Sequence, residues 1–167
     1  MNYVVREARE SEWAALVRVT NAAFQVENFF KCADRTSLED VRRQVNEHGA
    51  HFLVAVDEKG AVCASIEVEA TGERAYFGML AVDPTLQRSG LGRRMVSEAE
   101  QWGVERDCSR MEMCIIHLRE DLPNYYHSLG YVDSHVGDVY QCDLSDFKVP
   151  VKLLYMVKPL TPQMTAR

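Results

Sequence analysis

Hydrophobic and polar positions follow two different periods along the chain. From Val62 to Glu69 apolar residues occupy every second position, which is typical of a β-strand and puts Glu67 and Glu69 on one face. From Leu91 to Gly103 apolar residues recur at steps of three and four, which predicts an amphipathic helix. The chain therefore contains both strands and helices.

The same patterns predict seven strands and four helices. Strands are expected within residues 2–8, in a hairpin over 51–70 with its turn at 58–60, and within 74–84, 110–118, 131–140 and 149–160. Helices are expected over residues 11–24, 38–48, 90–106 and 122–130, and a polar loop covers 141–148. The order β-α-α-β-β-β-α-β-α-β-β predicts an α+β fold whose twisted sheet is mixed but mostly antiparallel.

Several residues mark where these elements begin and end. Ser37 is expected to cap the second helix, with Asp40 completing a capping box, and Gly49 closes that helix. Pro84 ends the central strand that starts near residue 74, and Gly130 stops the short last helix.

Length and composition narrow the class of protein. The chain has 167 residues, of which 47% are apolar and 26% are charged, so we expect one soluble domain over residues 1–167. Its net charge of -6 argues against a nucleic-acid partner. We find no signal-peptide pattern and no apolar run of the roughly 20 residues that span a bilayer, so we expect a cytoplasmic protein without a membrane partner.

The five cysteines do not indicate disulfides or a metal site. Their number is odd and no two have C-x-x-C spacing, so reduced thiols are expected: Cys32, Cys63, Cys108, Cys114 and Cys142. Cys63 and Cys114 lie in apolar strand-like runs, where we expect core residues.

A short basic and glycine-rich loop joins the central strand to the long helix. This loop, QRSGLG, spans residues 87–92 and is followed by Arg93 and Arg94. Unpaired N–H groups at a helix start attract anions, and glycines let a ligand approach the backbone. A phosphate site is one interpretation, and a glycine turn beside a solvated basic face is the other.

Two known phosphate-binding patterns do not fit this loop. The P-loop pattern requires four residues between its glycines and a following Gly-Lys-Ser/Thr, which the loop lacks. The dinucleotide pattern G-x-G-x-x-G fails because position 95 is Met95, and the preceding strand follows a hairpin instead of a βαβ unit.

The longer stretch LAVDPTLQRSGLG resembles the acetyl-CoA motif of the GCN5-related N-acetyltransferase (GNAT) superfamily. Gln87, Gly90 and Gly92 match its Gln/Arg-x-x-Gly-x-Gly/Ala pattern, after the strand-end residues Leu80, Val82 and Pro84. Downstream, LPNYYHSLGY matches the superfamily's aromatic-Tyr-x-x-x-Gly-aromatic pattern through Tyr125, Tyr126, Gly130 and Tyr131. The order and spacing of the two motifs extend the resemblance over nearly the whole chain.

This resemblance implies acetyl-CoA as the acyl-donor co-substrate and assigns residues to its binding. The strand end would hydrogen-bond the pantetheine arm and the acetyl carbonyl, and the loop backbone would hold the pyrophosphate. Members commonly have an Asn that contacts CoA seven residues before the key Tyr, where this chain has Arg119, which could instead pair with a CoA phosphate or a substrate carboxylate. The expected cofactor-binding residues are Leu80, Ala81, Val82, Gln87, Arg88, Ser89, Gly90, Leu91, Gly92, Arg93 and Arg119.

Acetyl transfer to an amine needs a base for the amine and a proton for the departing thiolate. Tyr126 occupies the superfamily's general-acid position, four residues before Gly130, whereas Tyr125 is expected to pack the helix. Glu67 is the first candidate for the base. Glu69, on the same strand face, and His117, at the end of a later strand, are the alternatives.

The first two helices and their link form the acceptor site in proteins of this kind. Trp13 and Phe24 fit either a wall of that site or the core, and the choice for Phe29 and Phe30 is open. We expect an N-acetyltransferase that acts on a primary amine of a small molecule or peptide. The alternatives are a non-catalytic CoA-binding module and acyl transfer to a non-amine acceptor. The sequence does not identify the acceptor, and it does not show whether the chain forms a homodimer.

Overall fold

The computed structural model describes residues 2–138 and 146–161. Within them one mixed sheet has seven strands in the order β1-β2-β3-β4-β5-β7-β6. The strands are β1 Val4–Glu7, β2 His51–Val56, β3 Val62–Thr71, β4 Arg74–Val82, β5 Arg110–Ile116, β6 Val132–Asp138 and β7 Lys152–Pro159. Neighbouring strands are antiparallel except for β4 and β5, which are parallel. The predicted mixed, mostly antiparallel α+β fold is confirmed.

Four α-helices accompany these strands in the described residues. They are α1 Trp13–Phe24, α2 Leu38–His48, α3 Leu91–Val104 and α4 Leu122–Ser128. The start predicted at Ser11 differs slightly, because Glu10–Glu12 forms a 3₁₀ turn before α1 begins. Further 3₁₀ turns are Gln25–Glu27 after α1 and Pro84–Leu86 after β4. No described helix has the length and apolar character needed to cross a membrane.

Local signals in the sequence produce the predicted helix ends. The Ser37 hydroxyl accepts the N–H of Asp40, whose carboxylate accepts the N–H of Ser37, so the capping box is present. Gly49 ends α2 with φ of 69°, a left-handed conformation that favours glycine. The last predicted strand is shorter than expected, and residues 139–145, which include Cys142 and part of the predicted loop, lie outside the described residues.

The sheet separates two apolar cores. On one face, α3 packs its stripe of Leu91, Met95, Val96, Ala99 and Trp102 against β3, β4 and β5. On the other face, α1 and α2 cover the sheet centre through Leu16, Val19 and Val41. Among the cysteines, Cys63 is buried as predicted. Cys114 is only partly buried, because it lies beyond the cover of α1 and contacts the Tyr76 hydroxyl.

Gly103 fixes how closely α3 approaches the parallel strand pair. A Cβ atom at this position would lie 2.9 Å from the Cβ of Ala75 and 3.1 Å from Cδ1 of Leu160. Ala75 belongs to the three-residue segment of β4 that pairs with β5. A larger side chain at Gly103 would therefore push the helix away from the sheet at this junction.

We predict that Gly103→Val lowers the free energy of unfolding by about 1–3 kcal/mol, because the added methyl groups overpack a rigid contact. Urea unfolding of both proteins measures the change. Ser97→Val is the matched control, since Ser97 is exposed on the same helix. An equal loss in the two variants would contradict the packing role of Gly103.

Candidate active site

The parallel strands β4 and β5 separate after a short paired segment. Pairing joins Arg74, Ala75 and Tyr76 to Arg110–Glu112, although β4 continues to Val82 and β5 to Ile116. Within the described residues, the edge of β4 beyond Tyr76 has no paired strand on its β5 side. The separation leaves backbone groups of β4 available to a ligand between the strands.

A β-bulge in β4 accompanies this separation. The pairs Glu67↔Gly78 and Ser65↔Ala81 use two steps along β3 but three along β4, so β4 holds one extra residue. Met79 within this segment has φ of 47°, which is uncommon for a residue other than glycine. Bulges bend a strand and redirect its groups. Here the bulge redirects the backbone near Leu80, which was predicted to contact the acyl group.

The loop after β4 presents an uncapped helix start. Arg88 and Gly90 have left-handed φ values of 62° and 86°, and no side chain caps α3 at Gly90. The first intrahelical bond joins the N–H of Arg94 to the carbonyl of Gly90. The N–H groups of residues 91–93 therefore point out of the helix start without intrahelical acceptors. Gly92 lies close to the helix α4, because a Cβ there would come within 3.3 Å of the Tyr125 hydroxyl.

A cavity of about 880 Å³ runs from this helix start to the link between α1 and α2. It passes the strand separation, where Leu80, Ile115 and Ile116 line it. Most residues predicted to bind the cofactor lie in its wall, namely Leu80, Val82, Gln87, Arg88, Gly90, Gly92, Arg93 and Arg119, together with the predicted acid Tyr126.

Three predicted cofactor-binding residues, of which Ser89 is exposed, do not contribute to the wall of the cavity. Ala81 and Leu91 are buried in the two apolar cores. The Ser89 hydroxyl donates to the carbonyl of Leu86, 2.6 Å away, and so stabilises the loop. Any contact of these residues with a ligand would be made through their backbone.

Tyr126 lines the cavity within an aromatic cluster. Its side chain is 5% exposed, and its ring centroid is 5.1 Å from that of Tyr125 and 6.0 Å from that of Phe77. Burial raises the pKa of the Tyr126 phenol well above its ordinary value of 10. The hydroxyl therefore stays protonated at neutral pH and can act as a proton donor.

Glu67 is buried directly under the strand separation. It is 7% exposed, and its Oε2 would lie 3.4 Å from a Cβ placed on Gly78, which lines the cavity. Burial, together with the charge of Glu69, raises the pKa of Glu67 to about 7, and the charge of Arg35 opposes the shift. A carboxylate of this pKa is suited to general-base chemistry at neutral pH. A Cβ on Gly78 would also lie 3.2 Å from Cε1 of Tyr76, so Glu67 and Tyr76 both pack against Gly78.

The two alternative bases lie in different surroundings. Glu69 is only half-buried, two positions along β3 from Glu67. His117 is exposed, and its Nδ1 accepts the backbone N–H of Lys152 at 3.0 Å. That bond ties His117 to the start of β7, so the geometry favours Glu67 as the base.

Arg119 lines the cavity but already has carboxylate partners. Its Nε and Nη2 donate to the two oxygens of Asp121, each at 2.9 Å, and its Nη1 donates to Oε1 of Glu27 at 3.2 Å. A contact between Arg119 and CoA stays a prediction, and a phosphate there would compete with these two carboxylates.

The sequence analysis did not single out Glu27 or Arg35, although both line the cavity. Glu27 ends the 3₁₀ turn after α1 and is 4% exposed. The guanidinium of Arg35 lies 4.9 Å from the centre of the Phe24 ring, which also lines the cavity. No periodic pattern could have revealed them, because a charged residue in an irregular link is ordinarily solvated.

The aromatic residues of the first two helices have separate roles. Trp13 and Phe24 pack against the core between α1 and the sheet, and Phe24 also reaches the cavity. Phe30 is fully buried, whereas Phe29 is 61% exposed. The aromatic wall residue is therefore Phe24, at the end of α1.

Comparison with protein families finds one match that covers most of the chain. The model of the acetyltransferase (GNAT) family matches residues 7–131. Among curated proteins, human N-alpha-acetyltransferase 30 is 31% identical over 84 residues, which are 48% of this chain and 23% of the human protein. The aligned part is therefore less than a quarter of that relative, and the mouse protein of the same name matches equally.

Solved structures show the same fold at low sequence identity. The ribosomal-protein-S18-alanine N-acetyltransferase of Escherichia coli has a TM-score of 0.75 at 14% identity, covering 99% of both chains. A GNAT superfamily phosphinothricin acetyltransferase of Sinorhizobium meliloti, solved in complex with AcCoA, has a TM-score of 0.72 at 15% identity. That match covers all of this chain and 93% of the other.

We predict that the Glu67 carboxyl titrates near pH 7, which ¹³C NMR of the labelled protein would measure. The ordinary value is 4.5, so the folded state holds this proton more tightly than the unfolded state. The stability that this proton confers is fully present below pH 4.5 and is lost as pH rises through 7. Glu67→Gln should therefore gain up to about 3 kcal/mol over the wild type across this range in urea unfolding.

Glu69→Gln tests why the pKa of Glu67 is raised. Removing that charge should lower the Glu67 midpoint, since the Glu69 carboxylate disfavours ionisation of its neighbour. A Glu67 midpoint near 4.5 in the wild type would rule out the buried environment described above.

Proposed function

Because the chain belongs to the acetyltransferase (GNAT) family, we propose that it moves the acetyl group of acetyl-CoA to a primary amine of a small molecule or peptide. The observation that carries the proposal is the continuous cavity. It connects an uncapped helix start, suited to a pyrophosphate, with a buried phenol and a nearby carboxylate of raised pKa.

The donor would lie along the strand separation with its pyrophosphate at the start of α3. The N–H groups of residues 91–93 lack helical acceptors and carry the positive end of the helix dipole. Arg88 and Arg93 line the cavity there and add positive charge. The open edge of β4 would hydrogen-bond the pantetheine arm, as a further strand would.

The reaction would proceed by direct attack. The acceptor nitrogen forms a bond with the acetyl carbonyl carbon, and the carbon–sulfur bond of the tetrahedral intermediate then breaks. A backbone N–H near the β4 bulge supports the oxyanion. The amine proton passes to Glu67, through a water beside Gly78, and the departing thiolate takes the proton of the Tyr126 hydroxyl.

A non-catalytic CoA-binding module remains the alternative, since the helix start and open strand edge would serve binding alone. The buried Glu67 with a pKa of about 7 favours an enzyme, because a raised carboxyl pKa beside a cavity costs stability and supports proton transfer.

We predict that the purified protein releases CoA thiol from acetyl-CoA only when an amine is present. A thiol-reactive dye would measure this over a panel of amino acids, peptides and polyamines. Acetyl-CoA should also raise the free energy of unfolding by about 2.7 kcal/mol at 100 times its Kd. Stabilisation without turnover of any amine would support the binding module, and no stabilisation at saturation would refute the assigned donor site.

We predict that Tyr126→Phe lowers kcat about 100-fold, because the thiolate loses its proton donor. The Kd for acetyl-CoA should change less than about twofold, since the phenyl ring keeps the aromatic packing. Tyr125→Phe is the matched control: its hydroxyl points towards Gly92 at the helix start, so kcat should be retained. Equal kcat values for the wild type and Tyr126→Phe would remove Tyr126 from the acid role.

A further inference from the structure

Two residues in the wall of the cavity each carry one buried polar atom that has no hydrogen-bond partner. Among the residues that the structure describes, hydrogen-bond partners are missing for Glu27 Oε2, Arg35 Nε and Trp102 Nε1. Trp102 belongs to the core on the α3 side, but Glu27 and Arg35 both line the cavity. We call the part lined by Phe24, Val26, Glu27, Arg35 and Gly78 the acceptor end.

The Glu27 carboxylate is arranged to receive a cation. Only its Oε1 is engaged, by Arg119, whose other nitrogens are held by both oxygens of Asp121. One guanidinium thus faces two carboxylates, which leaves the trio with a net charge of -1. A buried carboxylate oxygen without a donor is costly, so a ligand that donates an N–H to Oε2 gains the energy of that missing bond.

Arg35 offers the complementary group. Within the described residues, its guanidinium contacts the face of Phe24, and no hydrogen bond or ion pair involves it. Arg35 lines the same cavity as Gly78, and its charge opposes the rise in the pKa of Glu67. A planar guanidinium in such a place is suited to a carbonyl or carboxylate oxygen.

Opposite polarity at one end of one cavity indicates a ligand with both a donor and an acceptor group. Resting on the proposed acetyl transfer, we propose that the acceptor is an α-amino-acyl group, with its amine on Glu27 and its carbonyl or carboxylate oxygen on Arg35. Such a group occurs in free amino acids and at peptide N-termini. Glu27 and Arg35 bind and orient the acceptor in this arrangement, and the chemistry stays with Glu67 and Tyr126.

The pKa of an α-amino group is closer to that of Glu67 than the pKa of a lysine-like amine is. An α-ammonium group loses its proton near pH 8, whereas a lysine-like ammonium does so near 10.4. Transfer to a carboxylate that titrates near 7 is therefore unfavourable by about tenfold for the first and by over about a thousandfold for the second. One ammonium proton goes to Glu67, and the neutral amine then forms the new bond to the acetyl carbon. The thiolate leaves with the Tyr126 proton, and the second proton of the attacking nitrogen restores the Tyr126 hydroxyl.

The test compares two acceptors of similar size, of which only one carries a carbonyl group beside the amine. That group also lowers the pKa of the amine, so the preference is measured in the wild type and again in a variant of Arg35. Alaninamide and sec-butylamine have similar size and one amine each, but only alaninamide carries a carbonyl oxygen. In the wild-type protein we expect kcat/KM to be at least about tenfold higher for alaninamide. Free alanine and the amide of Ala-Ala-Ala are then tested as acceptors. The one with the higher kcat/KM shows whether the α-amino-acyl group comes from a free amino acid or from a peptide N-terminus.

Two variants then assign the contacts. Arg35→Met should lower kcat/KM for alaninamide at least about tenfold and leave sec-butylamine within about threefold, which removes the preference. Glu27→Gln should raise the acceptor KM for both compounds with an unchanged KM for acetyl-CoA. Arg42→Met and Glu39→Gln are the matched controls, because both residues are exposed on α2, and neither should alter any of these values.

The outcomes separate the inference from the function on which it rests. Equal kcat/KM for alaninamide and sec-butylamine in the wild type would overturn the inference and leave acetyl transfer intact, and so would a parallel loss on both compounds in Arg35→Met. Turnover of no amine, with acetyl-CoA still stabilising the protein, would overturn the proposed function and the inference together. The Arg35→Met comparison decides the matter even where Glu27→Gln does not fold, because the difference in amine pKa is the same in both proteins.

Discussion

The site depends on one interruption in the backbone pairing of the sheet. β4 and β5 pair over three residues and then diverge, and the extra residue of the β4 bulge lies where they part. A continuous parallel pair would have satisfied the backbone groups of residues 78–82 internally and left no space between the strands. α3 holds the paired base of this opening through the close contact of Gly103 with Ala75. The strands can therefore part at one end because they are firmly packed at the other.

The opening brings groups of opposite electrostatic character to its two ends. At one end, the start of α3 presents bare N–H groups beside Arg88 and Arg93. At the other end, Glu27, Asp121 and Arg119 leave one negative charge in excess, next to the separate positive charge of Arg35. A donor with a pyrophosphate and an acceptor with an ammonium would each be drawn to the matching end. This polarity also explains how an acidic protein can hold an anionic ligand: the positive field is local and arises mainly from oriented backbone groups.

Features encoded within a few residues of the chain could be predicted, and those that depend on distant partners could not. The Ser37–Asp40 capping box, the left-handed Gly90 and the stripe of α3 each follow from local chemistry. The cofactor motif and the role of Tyr126 are assigned from patterns of neighbouring residues, and both assignments stay predictions. The bulge at Met79 leaves no local signal, because it arises from a mismatch of one residue between β3 and β4. Glu27 is likewise buried, and its ion-pair partner Arg119 lies 92 residues further along the chain.

The raised pKa of Glu67 depends both on the local pattern of the sequence and on contacts with distant residues. Alternation along β3 predicts that Glu67 and Glu69 share a face, but burial differs between them because the sheet centre is covered and the strand end is not. Desolvation then acts on Glu67, and the charge of Glu69 adds to it, while Arg35 approaches from an irregular link and limits the shift. An acceptor oxygen bound to Arg35 would offset part of the guanidinium charge that favours ionised Glu67. The base would therefore become a stronger proton acceptor when the acceptor is in place, which couples recognition of the acyl oxygen to activation of the amine.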